Sequence, residues 1–159
     1  MKRIVSVLLL CALAPRVQAQ ESQAFNISGE ILPGVCKVAF PDVDLGWHSA
    51  ASFTGSHATP YVDFSGTVSD CDPLVLRVAM TFDGNADPDN GDLFQALPGI
   101  GIQLVRVVGA LNVPLRPAAR TQYVSATGIY PFRARLQQSS PNVSAGRIQR
   151  AVTVSLTYN

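Results

Sequence analysis

Charge is scarce in this sequence, and so are the side chains that most often carry catalysis or ligand binding. Of 159 residues only 14% are Asp, Glu, Lys or Arg; two are histidine, three cysteine and one tryptophan. No apolar run approaches the roughly 20 residues that a membrane-spanning helix needs, so no direct membrane insertion is expected. No Gly-x-Ser-x-Gly elbow occurs, which removes the usual signature of an α/β-hydrolase nucleophile. Of the twelve Lys and Arg, Lys2, Arg3 and Arg16 fall at the N-terminus, so residues 20–159 carry nine bases against eleven acids, a formal charge of −2. That balance argues against nucleic acid or an anionic membrane surface as the partner, both of which reward clustered bases. Pairs such as Arg133 with Arg135, and Arg147 with Arg150, are expected on solvated strand faces.

The few candidate chemical groups resolve into bland roles. His48 and His57 stand near Asp42, Asp44, Ser49, Ser52 and Ser56, and are expected as loop residues rather than a hydrolase site. The acidic stretch from Asp83 through Asp87 and Asp89 to Asp92 lacks the glycine and closing glutamate of a calcium loop, and is expected to be solvated. Neither a metal nor a cofactor is expected, and the chain is not expected to be an enzyme. Two glycosylation-type triplets begin at Asn26 and Asn142 and are taken as coincidental. Trp47 is expected to pack in the core or at a groove edge.

What the sequence does have is an export signature. Lys2 and Arg3 precede an apolar run from Ile4 to Leu13, followed by Val17-Gln18-Ala19 with small residues at the cleavage positions, the pattern of a secretory leader over residues 1–19. Cys11 lies inside it, and bulky Leu10 before it argues against a lipid-attachment site. Removing the leader leaves Cys36 and Cys71 as an even pair in an oxidising compartment, so a disulfide is expected. Closing that loop contributes about 3 to 4 kcal/mol in the chain-entropy description.

The remaining residues alternate with period two. Val62, Phe64 and Val68 alternate with Asp63, Ser65, Thr67 and Ser69; Leu74, Leu76, Val78, Met80 and Phe82 alternate with Arg77, Ala79 and Thr81; Tyr130, Phe132, Ala134 and Leu136 do the same. Turn signals at Pro33-Gly34, Asp83-Gly84, Asn90-Gly91, Pro98-Gly99 and Pro141-Asn142 separate the runs. Strands are predicted near 36–40, 60–70, 74–82, 100–108, 129–137 and 147–158, with a poorer one near 111–115. Short strands punctuated by turns in one exported domain predict an all-β sandwich close to the immunoglobulin type.

Two alternating runs lie outside a closed sandwich. From Gly146 to Asn159, Ile148, Val152, Val154, Leu156 and Tyr158 share one face, interrupted only by Arg150, and the pattern is still running at the last residue. A strand there has an apolar edge with no later segment to cover it, and such edges invite pairing with another chain. At the other end Phe25, Ile27, Gly29 and Ile31 alternate ahead of Pro33-Gly34. Periodicity leaves open whether that run pairs with its own domain or with another molecule.

Together these residues resemble subunits of chaperone-usher fimbriae, nearest to minor or adaptor pilins of type 1-like pili. The resemblance rests on Phe25-Asn-Ile-Ser-Gly-Glu-Ile31 before Pro33-Gly-Val-Cys36, Val43-Asp-Leu-Gly46, Val62-Asp-Phe64 leading into Ser69-Asp-Cys71, and Phe82-Asp-Gly-Asn-Ala-Asp87. It continues with Gly99-Ile-Gly-Ile-Gln-Leu104, Phe132-Arg-Ala-Arg-Leu136 and the C-terminal run, in which Gly146 is fourteenth from the end and Tyr158 penultimate. It implies an incomplete immunoglobulin-like β-sandwich lacking its final strand, with a donor-strand extension at 20–33 and a pilin domain at 34–159. Phe25, Ile27, Gly29 and Ile31 would enter a neighbour's groove. Gly146 would open the C-terminal strand, and Ile148, Val152, Val154, Leu156 and Tyr158 would line the groove, with the Asn159 carboxylate meeting a basic site on the chaperone. The implied partners are a periplasmic chaperone, an outer-membrane usher and neighbouring pilin subunits, and the implied destination is the cell-surface fimbrium. Glu21 and Gln23 depart from the small or apolar residues usual at the outer end of the donor face. The short extension before Cys36 resembles a tip adaptor more than a rod subunit. The reading from a different class is a self-contained secreted adhesin or lectin-like module, in which residues 25–31 complete their own sheet.

Overall fold

The structure is a computed structural model, described here for Ser28 and residues 35–159. The leader and the donor residues Phe25, Ile27, Gly29 and Ile31 lie outside the described residues. Nine strands follow in order: β1 (Lys37–Ala39), β2 (Val62–Ser69), β3 (Arg77–Asp83), β4 (Phe94–Leu97), β5 (Ile100–Val108), β6 (Leu111–Leu115), β7 (Val124–Ser125), β8 (Gly128–Gln138) and β9 (Thr153–Tyr158). One 3₁₀ turn, Ala50–Ser52, follows Ser49, whose side chain accepts the Ala51 N–H. The described residues are therefore all-β, as the alternation predicts.

The strands form two antiparallel sheets. The larger runs β1-β2-β8-β5-β4, with β6 pairing β5 beyond β4; the smaller runs β7-β3-β9. β8 is the centre of the larger sheet, with Phe64 opposite Phe132 on one side and Leu104 opposite Ala134 on the other. Its alternation explains its place: Phe132, Ala134 and Leu136 are buried, while Arg133 and Arg135 face outward. The outward arginines find partners, Arg133 with Asp63 at 2.5 Å and Arg135 over the Tyr61 ring at 4.4 Å. Facing β8 across the core are Val78, Met80 and Phe82 of β3, all essentially inaccessible. Phe82 and Phe132 meet edge to face with centroids 5.4 Å apart.

Phe40 closes one side of this core. It follows β1 and packs on Phe82, Phe132 and Phe64 with centroids 5.9, 5.5 and 6.5 Å away. Gly66 makes the space: a Cβ there would lie 2.3 Å from the Phe40 ring. Cys36 and Cys71 are joined, which fastens the entry of β1 to the exit of β2.

The structure departs from the predicted elements in three places. The strand expected from residue 74 begins at Arg77, because Asp72 organises a turn: its carboxylate accepts the Leu74 N–H at 2.9 Å and its carbonyl the Val75 N–H at 2.9 Å. Leu74 and Leu76 are consequently 70% and 73% exposed. β4 and β7 were not among the predicted strands; β4 occupies only four residues between two turns, and β7 only two. The third departure is at the C-terminal strand, which begins at Thr153 instead of 147. Its partner β3 ends in the Asp83–Thr153 pair, so among the described residues no strand offers a ladder to residues 147–152.

A candidate functional site beside the last strand

β9 pairs with β3 from Val78–Tyr158 to Asp83–Thr153, and among the described residues it has no second strand neighbour. Val154, Leu156 and Tyr158 turn inward and pack against the core, yet each is only half-buried, while their partners Phe82, Met80 and Val78 are fully covered. Within one ladder that contrast marks an edge strand whose far side is open. An open edge presents unpaired N–H and C=O groups as a template for another strand.

Alongside that edge lies a cleft of about 390 Å³. One wall is Phe40, Pro41, Val43 and Leu45; the other is Arg150, Val152 and Val154. The floor is the core itself, reached at Phe64, Phe82, Ile102 and Ala134. An apolar floor beside unpaired backbone suits an extended segment that offers both alternating apolar side chains and main-chain hydrogen bonds.

Of the groove residues predicted from sequence, Val152 and Val154 line this cleft, and Leu156 and Tyr158 continue the same face along β9. Ile148 packs elsewhere, against a second cluster made by Phe53, Ala96, Ile100 and Leu136. Gly146 does not open the strand; it lies exposed in the irregular segment, where a Cβ would come 3.2 Å from the Leu97 side chain. The opposite wall was not anticipated, although the Val43-Asp-Leu45 alternation carries its signal.

Arg150, the polar residue on the apolar face, has a definite structural partner. The β4–β5 register shifts between Gln95 and Leu97, leaving Ala96 as the extra residue of a bulge. The Arg150 guanidinium donates to the Ala96 carbonyl through Nε and Nη2 at 3.2 and 2.7 Å. Ala96 is fully buried, so the arginine satisfies an acceptor that would otherwise be stranded.

At the other end of β9, Asn159 exchanges backbone hydrogen bonds with Arg77, N–H to O distances being 3.0 and 3.2 Å. The backbone N–H of Cys36 donates to the Tyr158 hydroxyl at 3.3 Å.

The remaining polar candidates take local roles. His48 Nε2 lies 2.8 Å from the Leu45 carbonyl, and the His57 ring meets Phe53 edge on at 5.0 Å. Asp87 is buried rather than solvated, correcting the expectation for the acidic loop: its Oδ1 accepts from the N–H groups of Asp89 and Asn90 at 3.0 and 3.1 Å. Its role is to shape the turn that leads into β4. Trp47 is 95% exposed and packs neither in the core nor at the groove edge, because Gly46 at φ +80° turns the chain outward beyond Leu45. The Tyr130 hydroxyl, which donates to the Ser125 carbonyl, is held above its ordinary pKa of 10.0 by burial, against the opposing pull of Arg106.

Residues 25–159 match the fimbrial protein family. The S-fimbrial protein subunit SfaG of Escherichia coli strain 536 is 30% identical over 146 residues, covering 84% of this chain and 81% of that one. A fimbrial-like protein of Escherichia coli K12, YdeS, is 29% identical over 155 residues, covering 84% of each. In three dimensions a chain of a solved chaperone-usher pilus superposes with a TM-score of 0.63 at 18% identity, over 92% of this chain and all of that one. The fold is thus the immunoglobulin-like sandwich of pilins.

Proposed function

Because the chain belongs to the fimbrial protein family, we propose that it is a structural, non-enzymatic subunit of a chaperone-usher fimbria and polymerises by donor-strand exchange. The observation that carries this reading is the half-buried inner face of β9 beside a cleft floored by the core. A periplasmic chaperone fills the cleft during export, the usher directs replacement of that strand, and residues 25–31 of a neighbouring pilin become the permanent occupant. The signal over 1–19 supplies export, the extension 20–33 the donor strand, and the domain 34–159 the acceptor. Cell adhesion follows from display in the surface fibre.

Within a donor segment such as 25–31, Phe25, Ile27 and Ile31 contribute roughly 5 to 9 kcal/mol as an upper estimate if fully buried. Each main-chain hydrogen bond adds about 0.5 to 1.5 kcal/mol net. Gly29 lets the two backbones approach closely where a side chain would stand off. On the acceptor side Val152, Val154, Leu156 and Tyr158 carry the groove, and the Asn159 carboxylate at the end of β9 is the chaperone's anchoring point. The short extension before Cys36 favours a minor or tip adaptor position.

The test is complementation in trans. Residues 34–159 alone should self-associate or melt at low temperature, and a peptide copying residues 20–33 should raise that temperature. A stable monomer indifferent to the peptide overturns the reading.

A further inference from the structure

Resting on the strand-donor reading, we infer that Val35, Leu74 and Leu76 form a docking face for the body of the neighbour that receives residues 25–31. The three side chains are 73%, 70% and 73% exposed. They gather at one pole of the domain. Val35 adjoins Cys36, whose Cα lies 4.0 Å from that of Cys71. Leu74 and Leu76 follow Cys71 by three and five residues. Cys36 also touches Tyr158, which pairs with Val78 two residues beyond Leu76.

The tether identifies the occupant. Cys36 is held by its disulfide and by the start of β1, so the extension leaves the domain at this pole and nowhere else. Five residue steps separate Ile31 from Cys36, a reach of at most about 18 Å when fully extended. A neighbour whose groove holds Ile31 therefore stands within that distance of Val35, and Pro33 stiffens the link further by fixing its own φ. The pole has the make-up of a small interface, apolar at its centre and polar at its rim. The rim includes the exposed Lys37–Asp70 ion pair at 2.8 Å and Arg77, whose guanidinium donates to the Tyr123 carbonyl at 3.1 Å. Leu111, 68% exposed on β6, has no comparable tether and is not assigned a partner. The inferred contact fixes the angle between successive subunits, a role separate from holding them together.

Hydroxyl-radical footprinting on fibres sheared from the producing cell, compared with the isolated chain, tests this directly. Leu74 and Leu76 should lose most of their labelling in the fibre, while exposed Trp47 serves as the reference. The double variant Leu74→Ser, Leu76→Ser should assemble to the same extent, since both side chains are outside the core, but give fibres with a wider spread of inter-subunit angles in electron micrographs. Unchanged labelling of both leucines in fibres that depend on residues 25–31 overturns the docking face and leaves strand donation intact. Assembly that survives deletion of residues 25–31 overturns strand donation, and the docking face with it.

Discussion

The Cys36 N–H donates to the Tyr158 hydroxyl across 122 positions of sequence, at 3.3 Å. That bond brings the point where the N-terminal extension enters the domain beside the penultimate residue of the chain. The start of β1 and the end of β9 thus share one pole, tied by a hydrogen bond to the Cys36 N–H and by the Cys36–Cys71 disulfide.

Tyr158→Phe removes this bond and keeps the ring that packs on the core. The domain should lose about 0.5 to 1.5 kcal/mol, read as a lower urea midpoint with an unchanged slope. A change in slope would point instead to altered compactness.

Gly66→Val should displace Phe40, since even the first added carbon falls 2.3 Å from its ring. Overpacking of this kind costs about 1 to 3 kcal/mol. Because Phe40 is also a wall of the cleft, the variant should bind a donor peptide more weakly as well. Calorimetry and a peptide titration read the two effects separately.

Residues 147–152 carry strand alternation but, among the described residues, no ladder partner. A peptide copying residues 20–33, laid along the open side of β9, should supply one. Amide exchange over Ile148–Val152 should slow on binding, extending protection N-terminally from Thr153. Protection confined to 153–158 would show that the Arg150 bond to Ala96 holds the segment out of the sheet.

Stability should fall as pH rises above about 10. Tyr130 is held above its ordinary pKa of 10.0 by burial, so the unfolded chain ionises first and gains relative to the fold as the proton is lost. The contribution is fully present below the ordinary value and disappears as pH climbs through the raised one. Tyr130→Phe should weaken this alkaline decline while lowering stability at neutral pH by the lost bond to Ser125. A decline of equal steepness in the variant refutes the assignment.

Long two-sided strands were the most legible part of the fold. β8 carries enough alternating residues for period two to fix its position to within a residue or two, and it shows its central place through buried Phe132 and Ala134. Short strands were not legible: Phe94 and Ala96 are only two inward residues between turns, too few for a period. β9 shows the opposite failure. Its pattern runs for six more residues than the ladder, because alternation reports what a segment is suited to pair with, while pairing also needs a partner that extends as far. Leu74 and Leu76 misled for a related reason: they fit the β3 period, but the turn set by Asp72 precedes the sheet. On the candidate site, Val152 and Val154 stand in the C-terminal alternation, whereas the Phe40–Leu45 wall shows locally only the Val43–Leu45 alternation, and its place across the cleft needed the fold.

The disulfide at the entry of β1 has a mechanical consequence. A pull along the extension arrives at Cys36, next to a strand of only three residues that would otherwise peel from β2 one pair at a time. The covalent link to Cys71 carries the tension past β1 toward β3, where six register pairs with β9 share it. A ladder of only three pairs is thereby removed from the load path.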